Sequence, residues 1–157
     1  MQDLAALAAL YAELDAHLED LRSQAALDGD RHAVERIETK QRLNDQAYFV
    51  LCWGQLEAEI NEACHAAIRT RRASANWAVR RGWDLYNPDD RRLSGLSFED
   101  RVALVLDRQG GSGSPWGRVM SYYATRNQIA HGDLMSDRID VTAVVGEFYQ
   151  IQSALTR

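Results

Sequence analysis

Apolar positions recur at helical spacing along most of the chain. Leu4, Leu7, Tyr11, Leu14, Leu18 and Leu21 alternate steps of three and four, which predicts an amphipathic helix with a narrow seam. Asp28-Gly29-Asp30 supplies the turn residues that end it. Such a seam forms one half of an antiparallel hairpin or of a dimer contact, and packing within the chain is the expectation here. A long helix is predicted from about Arg31 to Arg72, charged in its first half. Its second half carries Phe49, Trp53, Leu56, Ile60, Ala63 and Ala67 at heptad spacing, and Ala47, Val50, Leu51, Cys52, Ala58 and Cys64 widen that stripe. A helix apolar on most sides is expected at the centre of a core. Phe49, Trp53, Leu56, Ile60 and Phe148 are therefore the expected core residues. Truncating an aromatic one to Ala should cost about 3–5 kcal/mol.

The pattern lapses over 73–96, where Trp77, Trp83, Tyr86, Asn87-Pro88-Asp89 and the pairs Arg80-Arg81 and Arg91-Arg92 fall without period. This stretch is expected to be irregular and, with 110–114, the most mobile region of the chain. Ser97 followed by Asp100 resembles a capping box and opens a short helix with Val102, Leu104, Val105 and Leu106. Gly110-Gly111-Ser112-Gly113-Ser114 is a break too short to separate domains. Pro115 suits the first turn of the next helix, with Ser114 as its cap. That helix sets Trp116, Met120, Tyr123, Asn127 and His131 on one line, and Gly132 suits a left-handed C-terminal cap. Ser136 or Asp137 is expected to start the last helix, whose seam is Val141, Val144, Phe148, Ile151 and Leu155. No internal repeat is evident. The fold expected is all-α, an up-and-down helical bundle with an irregular insert, in a single domain over 1–157.

Composition supports this picture. A chain of 157 residues buries roughly two-thirds of its unfolded surface and needs no covalent staples. The net charge of −5 does not advertise a nucleic-acid partner. All but one of the 18 basic residues are Arg, Lys40 being the exception. Arg forks onto phosphates and stacks better than Lys does. Cys52 and Cys64 share one predicted helix and cannot bridge each other, so two buried thiols in a reducing cytosol are expected. The N-terminus lacks the basic start of a signal peptide and carries Asp3 instead. No apolar run approaches the roughly 20 residues of a membrane span, so no membrane partner is expected.

Candidate chemistry concentrates at one helix end. Arg126, Asn127 and His131 bring a cation, a carboxamide and an imidazole together just before Gly132. Asn127 and His131 share a helix face, while Arg126 lies about 140° from His131 around an ideal helix. Glu57, one turn after Trp53, would be a buried carboxylate in need of a partner, with Arg126 a candidate. His65 and Glu62 read as a surface pair, and His17 and His32 stand apart. No His, Cys, Asp and Glu set has metal-ligand spacing. The glycine run lacks the Lys-Ser/Thr ending of a phosphate loop, and no nucleophile elbow is present.

Arg126-Asn127-x-x-x-His131 resembles the signature of the HEPN family (higher eukaryotes and prokaryotes nucleotide-binding). The resemblance extends over 31–157, with 1–27 as an additional N-terminal helix. It implies a HEPN-like bundle acting as a homodimeric, metal-independent endoribonuclease without a cofactor. Arg126 and His131 would be the catalytic pair, Asn127 and Glu57 supporting residues, and Arg80, Arg81, Arg91 and Arg92 contacts to RNA. His131 would move a proton, because imidazole titrates near neutrality. Arg126 would stabilise charge on the phosphorane oxygens. The family also implies a cytoplasmic toxin, stress or antiphage role, and an antitoxin or other regulatory protein as partner. One departure matters: HEPN toxins paired with a nucleotidyltransferase antitoxin carry Tyr two residues after the His, and here Asp133 stands there. Two other readings stay open. One is a non-catalytic HEPN module that binds nucleotide, RNA or a protein. The other is a helical dimerisation protein in which the trio is structural.

Overall fold

Capping chemistry sets most of the element ends. The structure, a computed structural model, describes residues 1, 3–86, 93 and 95–155. Helix α1 spans Leu4–Leu27. Beyond it Gly29 adopts φ +72°, a left-handed value that a side chain would strain. Gly29 N–H donates to Ala26 O at 3.2 Å and Asp30 N–H to Ala25 O at 3.0 Å, so the last carbonyls of α1 are satisfied as the chain reverses. Asp30 then accepts from Ala33 N–H at 2.9 Å and caps the start of α2, which runs over Arg31–Arg72.

Helix α3, Trp77–Trp83, lies inside the stretch expected to be irregular. Asn76 explains it: its side chain accepts from Ala78 N–H at 2.9 Å and nucleates two turns that apolar periodicity does not announce. Helix α4 spans Phe98–Val105, with Ser97 Oγ accepting from Asp100 N–H at 3.1 Å. Helix α5 spans Pro115–Ala130, with Ser114 Oγ accepting from Gly117 N–H at 3.1 Å. Helix α6 is Val141–Leu155. Every element among the described residues is helical, as expected. None is long and apolar enough to cross a membrane.

The chain divides into two compact units. The first comprises Met1–Gln55 and Tyr123–Tyr149. Here α1 buries Leu4, Tyr11, Leu18 and Ala25, every seventh residue, while Leu14 and Leu21 are exposed. The fully buried seam is thus one row wide, flanked by half-buried Leu7, Asp15, Glu19 and Arg22. Phe49, Cys52 and Trp53 of α2 are buried with Val141, Val144, Val145 and Phe148 of α6. The Trp53 ring stacks on Tyr123 at 6.1 Å between centroids and meets Phe148 edge-on at 6.3 Å. Helix α2 is not apolar-buried on most sides: Ala47 and Leu51 face solvent.

The second unit comprises Leu56–Tyr122 and Gln150–Arg157. Its core gathers Leu56, Ile60, Cys64 and Ile68 of α2 with Phe98, Val102, Val119 and Ile151. Cys64 donates to Arg101 O at 2.9 Å, and Arg101 donates to Asn61 at 2.6 Å, which ties α4 onto α2. His65 is buried in this region rather than exposed on the surface. The glycine-rich segment is tightly folded rather than a free break. A Cβ on Gly117 would lie 2.7 Å from Gly111 O, and one on Gly110 would lie 2.5 Å from Ser114. Both glycines are needed for the loop to close on the first turn of α5.

Candidate functional site

Gly132 builds the candidate site by ending α5. At φ +89° it turns the chain, its N–H donates to Ile129 O at 3.0 Å, and Asp133 N–H reaches back to Gln128 O at 3.0 Å. These are the two bonds of a left-handed helix stop, and they make His131 the residue at the helix rim. His131 N–H is satisfied by Asn127 O at 3.0 Å. Its side chain is exposed, which removes the arrangement in which it lies buried beneath α6. Among the described residues the imidazole has no hydrogen-bond partner.

Arg126 and Asn127 are half-buried. Arg126 Nη1 donates to Asn127 Oδ1 at 3.2 Å. The carboxamide therefore holds the guanidinium, whereas no hydrogen bond joins Arg126 to His131 among the described residues. The three side chains share one helix end, with a tethered cation beside an open imidazole.

The segment that follows is clamped by α2. Gln46 Nε2 donates to Met135 O and Arg42 Nη1 to Ser136 O, both at 3.2 Å. Arg138 grips Asp45 with two bonds, Nε to Oδ2 at 2.8 Å and Nη2 to Oδ1 at 2.9 Å. It also reaches Asp15 of α1. Tyr11 donates to Asp45 Oδ1 at 2.9 Å. Burial and the neighbouring Asp45 carboxylate push the Tyr11 phenol above its ordinary range. Hydrogen bonding to Asp45 and Asp15 holds Arg138 firmly charged. Asp45 is completely buried, so its charge is tolerable only with this set of donors.

This clamp corrects the expected start of the last helix. Carbonyls at 135 and 136 are held by side chains of α2, and the helix does not begin at Ser136 or Asp137. It begins at Val141, with Asp140 accepting from Ala143 N–H at 2.9 Å.

Beside the clamp, an open pocket of about 370 Å³ is lined by Glu19, Arg22, Glu38, Gln41, Arg42 and Arg138. Its charges answer one another. The Arg22 hydrogen bonds at 2.6 and 2.9 Å draw the Glu19 carboxyl down to about 2.

Glu57 is less buried than expected. It is half-exposed rather than buried and belongs to the second unit. One turn beyond Trp53, it lies roughly 40° further round α2, at the edge of the buried stripe. The carboxylate that needed a partner is Asp45, and the signal was its place on the stripe four residues before Phe49.

The arginines expected to meet RNA separate into groups. Arg80 Nη1 donates to Ser74 O at 2.8 Å and faces Asp84 at 4.0 Å, so it fastens its own segment. Arg81 is exposed and lies over the Trp77 ring at 5.0 Å. Arg91 and Arg92 fall outside the described residues. Among the described residues no group of three or more His, Cys, Asp or Glu is placed to hold a metal. The chain matches no family model, no curated protein and no solved structure.

Proposed function

We propose that the protein is a metal-independent endoribonuclease of HEPN type, active as a homodimer. One observation carries this reading: the end of α5 presents an exposed imidazole at His131, unpartnered among the described residues, on the same helix end as a guanidinium held by Asn127. An open imidazole is free to move a proton, and a tethered cation is placed in advance for developing negative charge. In the reaction a ribose 2′-hydroxyl attacks the adjacent phosphorus. The 2′-oxygen–phosphorus bond forms, the 5′-oxygen leaves with a proton, and a cyclic phosphate end remains. His131 moves the proton, and Arg126 stabilises the phosphorane. A two-fold dimer would present two copies of the trio, since such an interface repeats every element.

The test is incubation of the purified protein with mixed RNA in EDTA. Cleavage that leaves cyclic phosphate ends, spares DNA and disappears in His131→Ala is the expected result. Activity that requires Mg²⁺, or that survives His131→Ala, overturns the mechanism. Light scattering at micromolar concentration should report a dimer, and a monomer would remove the dimer from the proposal.

A second reading, a helical dimerisation protein, is favoured by a different observation. Leu10, Leu14, Leu43 and Leu51 are all exposed in the first unit and are available to pack against a second copy. In that reading the trio only ends a helix, and RNA is left intact.

A further inference from the structure

The chain is acidic overall, yet residues 69–92 hold seven Arg against three Asp. Local excess of one sign in a chain of the other sign needs an explanation, and the structure divides these arginines by what they do. Arg72 donates to Tyr86 O at 2.7 Å and lies 3.6 Å from Asp84. Arg80 is tied to Ser74 and Asp84. Those two fasten α3 and the turn after it. Arg69, Arg71 and Arg81 are exposed and pair with no carboxylate among the described residues.

Two of the three free cations are stacked on tryptophan. The Arg71 guanidinium lies over Trp83 at 5.4 Å and that of Arg81 over Trp77 at 5.0 Å. Trp77 is 62% exposed, although it is the largest kind of apolar side chain. Trp83 in turn packs against Tyr86 at 5.9 Å. Arg69 and Arg71 also line an open groove of about 690 Å³, together with Ala63, Ala67, Leu104 and Val105 and with the acidic Glu59 and Glu62.

We infer that this face of the second unit binds single-stranded nucleic acid, with Arg69, Arg71 and Arg81 on phosphates and Trp77 stacking on a base. Cations alone would suit any polyanion. Exposed tryptophan interleaved with unpaired arginine suits one whose anions alternate with flat π-faces. A duplex hides those faces in its own stack, so the partner is single-stranded. None of these contacts involves a ribose hydroxyl, so single-stranded DNA binds as RNA does. The inference rests on the ribonuclease reading only where it names that enzyme's substrate as unpaired RNA. The surface argued here lies in the second unit and includes neither Arg126 nor His131.

The test uses the full chain and a fluorescein-labelled single-stranded DNA oligonucleotide, which has no 2′-hydroxyl and cannot be cut by the proposed mechanism. Fluorescence anisotropy should report binding that weakens with salt. Replacing Arg69, Arg71 and Arg81 together with Ala should lower the slope of log affinity against log salt by about 2, since each phosphate contact on a single strand contributes about 0.7. Trp77→Ala should weaken binding about 5- to 150-fold, the range expected of one stacked base. Circular dichroism should be unchanged, as all four side chains are exposed. Arg31→Ala, an exposed arginine outside both proposed sites, should bind like the original chain. Because the oligonucleotide cannot be cut, this result stays apart from the fate of the nuclease proposal. The inference is overturned if the oligonucleotide does not bind at low salt, or if Trp77→Ala and the triple variant bind undiminished. It is also overturned if the duplex binds as well as the single strand, or if polyglutamate competes equally, which would point to an acidic protein.

Discussion

Two polar clusters of the first unit lie within a few residues of each other in sequence and obey opposite rules. Around Arg138 each charged group has its answer: Asp45 accepts from Tyr11 and twice from Arg138, and Arg138 also reaches Asp15. Around His131, among the described residues, Arg126 and Asn127 are joined by a bond of 3.2 Å and the imidazole has no partner. The first cluster is sealed because an unanswered buried charge would destabilise the fold. The second lies at an exposed helix end, where an unpaired polar group costs little and remains available to a ligand. Saturation marks a structural cluster, and its absence marks a candidate site.

That contrast can be broken most directly at His131. His131→Ala should lower RNA cleavage by about 10²- to 10⁴-fold, the usual contribution of a positioned proton carrier. Its unfolding free energy should stay within about 0.5 kcal/mol, as expected of an exposed side chain. Denaturant unfolding beside a cleavage assay measures both. A large stability loss with unchanged cleavage would reverse the two roles.

Asp45→Asn should behave in the opposite way. Removing the charge leaves Arg138 without its bidentate partner and should destabilise the chain by about 2–3 kcal/mol. This falls below the cost for a wholly buried pair because the Arg138 side chain is 42% exposed. Cleavage at a temperature where the variant is folded should be largely retained. A stability change under about 0.5 kcal/mol would show that the clamp is not what seals the unit.

Gly132→Ala tests the link between the clusters. At φ +89° a Cβ has open space but a strained backbone, so the loss should be about 1–2 kcal/mol. Gly132→Asn should lose less, since Asn tolerates the left-handed region. Equal effects of the two, read by thermal unfolding, would show that the turn does not depend on that conformation.

The smallest effect concerns the thiols. Burial pushes Cys52 and Cys64 up to about 11. An unfolded thiol ionises near about 8.5, so the stability this contributes is complete below that pH and is lost as pH rises through about 11. Native protein at pH 8 should react with a thiol reagent far more slowly than unfolded protein. Equal rates would place the thiols at the surface.

Much of this architecture was legible from the order of residues alone. Gly29, Asp30, Ser97, Ser114, Pro115 and Gly132 act through bonds to residues a few positions away, so their order along the chain is enough to place five of the helix ends or starts. Phe49, Trp53, Leu56, Ile60 and Phe148 could be assigned to the core because burial follows helical period. The trio at 126–131 was visible for the same reason, as its geometry belongs to a single helix.

Other features depended on elements far apart in sequence. Arg138 and Asp45 are 93 positions apart, and only the return of the chain brings them together. That contact, with those of Gln46 and Arg42, holds the segment before α6, which starts at Val141 rather than at the earlier residues that the sequence offers. Which of the leucines in α1 are buried depended on how wide a strip α2 covers, and the covered strip proved one row wide. Likewise, the free arginines of 69–81 could be told from the structural ones only once Asp84, Tyr86 and Ser74 had taken their partners. Local periodicity and capping determine where helices form. Which polar groups are consumed and which are left for a ligand is decided by pairing across the fold, because a side chain's partner is set by distance in space and not by distance along the chain.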